Sequence, residues 1–285
     1  MNKSIPIRKQ TGLSLIELLI AMLIGVFLLA GIASSYVSSK KTSRDTNELS
    51  QIEDNGRIAL ETIRDVIQHA GFTPNSDASL EAFILNPADV TSVACRDGNP
   101  SVLDATLFTQ ERVTSDHDAT GDSLAVTYYG NNNLFTDCLG RVLPPACQLT
   151  NAPGTTNNNE AAKIYNSFFV LDGKLSCAGS RTSSTSIIAD GVENIQYLYG
   201  VDTDGDNFID KYLNATDLNN LALVNTGIWN TITSIQVAIL IRSLKPVKKT
   251  SESKTYTLLD TTITSANDKY KREVFTTTIR LRNLL

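Results

Sequence analysis

The sequence predicts an α+β protein. One long N-terminal helix, its first half apolar enough to span a membrane, packs on an antiparallel β-sheet body with long disulfide-stapled loops. Three observations predict this. Leu13 to Ala33 is a run of 21 residues with Glu17 as its only charge, long enough to cross a hydrocarbon core of about 30 Å as a helix. Past it, Leu49, Ile52, Ala59, Leu60, Ile63, Val66, Ile67 and Ala70 recur at three- and four-residue intervals, the spacing of an amphipathic helix. Beyond residue 72, short runs rich in β-branched and aromatic residues alternate with polar turns.

The first element is a short basic leader, with Lys3, Arg8 and Lys9, that ends at Gly12. An acid inside the apolar run costs about 2.5–3.5 kcal/mol on insertion scales at the helix centre. The nearest cation that could partner Glu17 is an α-amine at Leu13, which exists only if the chain is cut after Gly12. An ordinary secretory signal would have a shorter apolar core with its cleavage site after it. Here the run is longer and the glycine precedes it.

The helix then continues. From Leu13 to Ala70 it would hold 58 residues. Gly56 interrupts it at a cost of about 1 kcal/mol relative to alanine. Gly71 followed by Pro74 is a suitable stop. Gly25 and Gly31 read either as points where the first half bends or as small residues on a helix-packing face.

In the body, Leu124–Tyr129, Ser167–Leu171 and Ile195–Tyr199 read as strands, with Asp172-Gly173 as a turn after the second. Asn131 to Asn133 and Asn151 to Asn159 read as exposed polar loops. Near the C-terminus, Val237, Ile239 and Ile241 alternate with Gln236, Ala238 and Leu240. Phe275, Thr277 and Ile279 alternate with Thr276, Thr278 and Arg280.

Four cysteines, Cys95, Cys138, Cys147 and Cys177, lie in the body, an even number that fits two disulfides in an oxidising compartment. Three connectivities are open. A clip between Cys138 and Cys147 would enclose eight residues including Pro144-Pro145, leaving Cys95 with Cys177. Zinc is the rival use, but C-x-x-C spacing and paired histidines are both missing from the sequence. The net charge of −5 excludes a general nucleic-acid footprint. Lys245, Lys248, Lys249 and Lys254 form a local basic cluster that reads as a solvated hairpin loop.

Asp202, Asp204, Asp206 and Asp210 fall at positions 1, 3, 5 and 9 of a calcium-type loop, with Phe208 offering a carbonyl and Ile209 an apolar anchor. Gly205 stands one place early, Asn207 takes the turn position, and Leu213 replaces the bidentate glutamate. The alternative is a solvated acidic turn between strands. Catalysis has no support: His69 and His117 belong to no triad or metal spacing, and phosphate or dinucleotide loops are missing. His69 suits the negative end of the helix. The chain is expected not to be an enzyme and to need no other cofactor.

Thr11-Gly12 followed by Leu13-Ser14-Leu15-Ile16-Glu17 resembles the prepilin cleavage and methylation motif of type IV pilins and type II secretion pseudopilins, with Leu13 where phenylalanine is usual. The resemblance implies that a membrane peptidase cuts after Gly12 and methylates Leu13, and that Glu17 docks the subunit during assembly. Gln51 to Glu61, closing with Arg64-Asp65 and His69 to Phe72, resembles the helix end of PilW-like minor pilins. Trp229, Ile235 to Ser243 and Phe275 to Asn283 resemble that family's final strands and ending, and acidic turns like Asp202–Asp210 occur there.

On this resemblance the fold is the type IV pilin fold. Its segments are a cleaved leader 1–12, a transmembrane half-helix 13–36, an amphipathic half-helix 37–71 and a periplasmic body 72–285. Cleavage would leave 22 cations against 30 anions, a net charge of −8. The implied function is pilus assembly initiation and a place at the tip, with indirect roles in adhesion, twitching or DNA uptake. The implied partners are the prepilin peptidase, other minor pilins, the major pilin and the inner membrane. A J-type minor pseudopilin of a type II secretion system and a tip adhesin or DNA-binding subunit are the alternatives.

Overall fold

The computed structural model describes residues 14–73, 80–85, 108–111, 121–130, 136–142, 163–179 and 185–284. The chain divides into two compact units, Met1–Asn47 and Glu48–Leu285. Helix α1, Leu15–Ile67, belongs to both. The helix expected from Leu13 to Ala70 thus forms, with residues 68–71 closing as turns.

Within the first unit, α1 carries exposed apolar side chains, among them Leu15, Leu18, Leu19, Met22, Leu23 and Phe27. A Cβ added to Gly25 or Gly31 would meet no atom within 4 Å, so neither glycine is demanded by a contact in this chain. The helix is long and apolar enough to cross a membrane.

The second unit is built on two four-stranded antiparallel sheets and a hairpin. The first sheet has the order β1-β2-β3-β4, from β1 (Leu124–Tyr129), β2 (Lys163–Leu171), β3 (Lys174–Gly179) and β4 (Thr185–Asp190). The second has the order β10-β7-β5-β6, from β5 (Val192–Val201), β6 (Lys211–Leu213), β7 (Ile232–Arg242) and β10 (Arg272–Arg280). Strands β8 (Thr255–Leu258) and β9 (Thr261–Thr264) pair with each other. A short helix α2, Ala215–Ala222, and a 3-10 turn, Ile228–Thr231, connect β6 to β7. The body expected as one sheet is therefore divided.

Strand β7 explains how the second sheet is covered. Ile235, Val237, Ile239 and Ile241 face the main core with Ile52, Ala59, Ile63 and Ile67 of α1. Ala238 and Leu240 face the other way, against Tyr256, Leu258 and Ile263 of the hairpin. Period-2 alternation thus serves two apolar surfaces, one under a helix and one under a ribbon. The turn at Asp172-Gly173 joins β2 to β3 with positive φ at both residues, 50° and 69°, as a two-residue hairpin with matching twist requires. Phe83, Tyr199 and Trp229 stack with centroids 5.2–5.8 Å apart at one end of the core.

The C-terminal half of α1 is registered on the sheet by side chains spaced along it. Glu48 accepts from the Lys245 N–H (2.9 Å), Asn55 donates to the Asp190 carbonyl (3.0 Å), and Arg64 donates to the Thr277 hydroxyl (2.6 Å). Gly56 lies between them because a Cβ there would sit 2.9 Å from the Phe275 ring. The turns that follow the helix close at Gly71, whose φ of 73° suits glycine. Asn283 donates to the Gln68 and Ala70 carbonyls (3.1 and 3.3 Å), which the helix leaves without partners.

The cysteines correct one expectation. Cys138 is bonded to Cys177, not to Cys147, so Cys177 is not left for Cys95. Cys138 reaches this position because its N–H donates to Asn166 Oδ1 on β2 (2.6 Å), beside Cys177 on β3. A short clip loses to a bridge across a sequence separation of 39 residues, which the chain-entropy account values at about 4 kcal/mol. Cys95 and Cys147 lie outside the described residues, as do Gly12, Leu13, Pro74, His117 and the loops at 131–133 and 151–159.

Gly56→Leu should destabilise the body by about 1–3 kcal/mol despite leucine's better helix propensity, because the side chain must displace the Phe275 ring. Urea denaturation measures the loss. Combining it with Phe275→Ala should cost less than the sum of the single changes, and strict additivity would show that the ring is not the obstacle.

Candidate functional site

Two groups of residues carry chemistry. The first is the start of α1. Ser14 is its N-cap: the Ile16 N–H donates to Ser14 Oγ (3.3 Å), and Glu17 Oε2 accepts from the Ser14 N–H (2.9 Å). Ser-x-x-Glu is the spacing at which a cap and a carboxylate three residues on satisfy each other's orphan donors. Glu17 is therefore folded back over the positive end of the helix, which favours an anion. Its carboxylate reaches the amide of the residue that follows Leu13. Sequence reasoning paired Glu17 with a cleaved α-amine and missed Ser14, although the spacing was visible.

The second is the loop between β5 and β6. It is pinned at its ends by Asp202 N–H to the Thr231 carbonyl (3.0 Å) and Asp210 N–H to the Val201 carbonyl (2.9 Å). Asp202 is buried at 7% exposure, and its two oxygens accept from the Gly205 and Asn207 N–H groups (2.7 and 2.8 Å). Asp210 accepts from the Thr203 N–H (2.7 Å) and hydroxyl. Gly205 and Asn207 both take positive φ, 81° and 65°, which is how the chain turns tightly enough to present these amides.

Asp202, Asp204 and Asp210 each offer one carboxylate oxygen, all within 4.8 Å of one another. Asp206 does not join them; it accepts from the Phe208 N–H instead (2.8 Å). Oxygen ligands in such a set suit a hard divalent cation such as calcium. The same hydrogen bonds also close the turn through protein atoms alone.

The electrostatics separate the three. For Asp202, desolvation raises the pKa, but the amides of Gly205, Asn207, Asp204 and Asp206 together outweigh it and the net shift is downward. Asp210 is lowered by the Thr203 hydroxyl and amide. Asp204 is held down by the Asp206 amide, yet the carboxylates of Asp206, Asp210 and Asp202, with desolvation, push it up overall. Asp202 and Asp210 thus stabilise the fold above their unfolded pKa and lose that contribution as pH falls through their depressed values. Asp204 has the opposite sign, and its protonation relieves repulsion.

Elsewhere the sequence-singled residues have structural surroundings. His69 lies in the turns after α1, its ring 5.9 Å from that of Tyr128. Among the described residues, the acidic loop is the one group of three or more metal-ligating side chains. Carboxyl NMR should find Asp204 protonating first on acidification and Asp202 and Asp210 last. Millimolar calcium, if held there, must depress Asp204 as well and raise the melting temperature. An Asp204 titration that calcium leaves unchanged would remove the ion from the loop.

Comparison with known proteins bears on both groups. A sequence model described as Type IV Pilus-assembly protein W matches residues 161–283, which includes the acidic loop. A second, the prokaryotic N-terminal methylation motif, matches residues 7–33, which includes Gly12, Leu13 and Glu17. No curated protein matches the chain. Among solved structures, a type IV-like pilin from Thermus thermophilus is similar at 11% identity and a TM-score of 0.42, over 82% of this chain and 97% of that one. With a long N-terminal helix that is apolar in its first half, antiparallel sheets in the body, a methylation motif at its start and the assembly-protein match over its last strands, the chain is similar to PilW-like minor pilins.

Proposed function

We propose that this chain is a PilW-like minor pilin that helps to begin pilus assembly from the inner membrane. The apolar half of α1 inserts with the body in the periplasm, the prepilin peptidase cuts after Gly12 and methylates Leu13, and Glu17 docks the subunit against other minor pilins and the major pilin. It then stands at or near the pilus tip on the cell surface.

The observation that carries the reading is the state of α1 before Asn47. Its apolar side chains are exposed within this chain, with Leu15 at 76% and Phe27 at 72%, and the one carboxylate of its apolar run, Glu17, is held at the helix start. Apolar surface of that extent is covered in a working protein, by lipid before assembly and by the helices of neighbouring subunits after it. A free amine at Leu13 would emerge one residue from the amide that Glu17 already holds, so processing supplies the cation to a carboxylate that is in place. The match to the type IV assembly family over residues 161–283 favours the pilus over a secretion pseudopilus.

Glu17→Ala should leave cleavage after Gly12 intact and lower incorporation into sheared pili by tenfold or more, on the order of the 2.5–3.5 kcal/mol an unpaired charge costs in lipid. Mass spectrometry of the N-terminus and immunoblots of the pilus fraction read the two steps separately. Incorporation at the parental level would refute the docking role. Deleting the gene should remove surface pili and spare type II secretion, and the reverse pattern would assign the chain to the secretion apparatus.

A further inference from the structure

The basic cluster near the C-terminus takes no part in the function above, yet the fold concentrates it. Lys245 to Thr250 link β7 to β8, and Lys269 and Lys271 lead into β10 at the same end of the sheet, where Arg242 is paired with Arg272 in register. Most acids on the strands and loops at this end are already engaged, while Glu53 and Asp54 of α1 are exposed. Arg272, at 2% side-chain exposure, holds Glu193 (2.5 Å) and Asp268 (2.6 Å); Lys248 holds Glu252; Lys271 holds Glu273 (2.9 Å). Glu48 accepts from the backbone of Lys245. What remains among the described residues is a set of exposed lysines without an ion pair, Lys245, Lys249 and Lys269, with Lys254 beside the Tyr256 ring.

The opposite end of β7 is acidic, since Asp202 bonds to Thr231 just before β7 begins. Eleven residues of strand, roughly 36 Å, hold the two signs apart. The basic end is also where α1 enters this unit, because Glu48 is fastened to Lys245. Leu244, at 45% exposure, adds an apolar side chain beside the lysines. Lysines around an exposed leucine, at the end from which the chain leads to its membrane segment, have the chemistry of an anionic lipid interface.

We infer that this end of the body seats on the anionic phospholipid surface of the membrane while the subunit awaits assembly. The inference rests on the membrane-inserted state proposed above. Each lysine brought to such a surface favours contact by about fivefold, and salt weakens it. Leaving the membrane for the filament would release the contact.

The test uses the full-length protein in nanodiscs of phosphatidylcholine alone or enriched in phosphatidylglycerol, footprinted with an amine-reactive reagent. Lys245, Lys249 and Lys269 should label several-fold more slowly in the anionic discs, with the difference lost in high salt. Lys211, exposed beside the acidic loop, should label equally in both. Equal labelling of the three lysines in both discs overturns the inference. So does protection that follows protein concentration rather than lipid, which would assign a second copy's acidic end, or protection that only added duplex DNA produces.

The variant Lys245→Gln/Lys249→Gln/Lys269→Gln should enter the discs as the parent does but lose lipid-dependent slowing of amide exchange at residues 244–250. Slowing retained in that variant also overturns the inference. Failure of the parent to enter either disc, seen by flotation, would instead sink the membrane reading on which this one stands.

Discussion

The body of this protein is organised by the seating of residues 48–67 of α1 on one face of the β10-β7-β5-β6 sheet. Ile52, Ala59, Ile63 and Ile67 form the stripe that is buried there, and hydrophobic burial favours the contact without fixing its register. Register comes from polar and steric marks. Glu48, Asn55, Arg64 and the helix end each meet a separate partner, and Gly56 admits the Phe275 ring where any side chain would hold the helix off. Non-directional burial supplies the energy and a few directional contacts supply the position.

Much of this was legible in the sequence for physical reasons. The apolar run and the three-and-four spacing are helix signals that tertiary context had no cause to override, and α1 forms within a few residues of the expected ends. Strands β1, β5, β7 and β10 were legible because each alternates or is rich in β-branched residues. Strand β4, Thr185–Asp190, was not, since it is exposed for most of its length and has no apolar period to read. Helix α2 was hidden by Asn219-Asn220 and its eight-residue length, though Asn214 caps it by accepting from the Asp217 N–H. The division of the body into separate sheets depends on contacts far apart in the chain, which local pattern does not encode.

The candidate sites divide in the same way. Residue types and spacing announced both Glu17 and the acidic loop. The sequence could not say that Asp206 turns away, nor that Asp202 is the buried member whose oxygens hold two backbone amides. Cysteine pairing stayed open in the sequence for a related reason. Proximity along the chain suggested Cys138 with Cys147, while the neighbour that matters is Asn166 on β2, which brings Cys138 to β3.

Asn283 sets an order of events. It closes the end of α1 from 213 and 215 residues away, and the Arg64 and Glu48 contacts span 213 and 197. A helix formed early in synthesis therefore waits for nearly the whole body to follow before its last turn is sealed. Contacts of such separation fold slowly, and until they form the stripe at Ile52, Ala59, Ile63 and Ile67 has no sheet to cover it. Where the first unit is anchored in lipid, that anchoring would precede maturation of the second, whose fold is then completed on a chain already tethered.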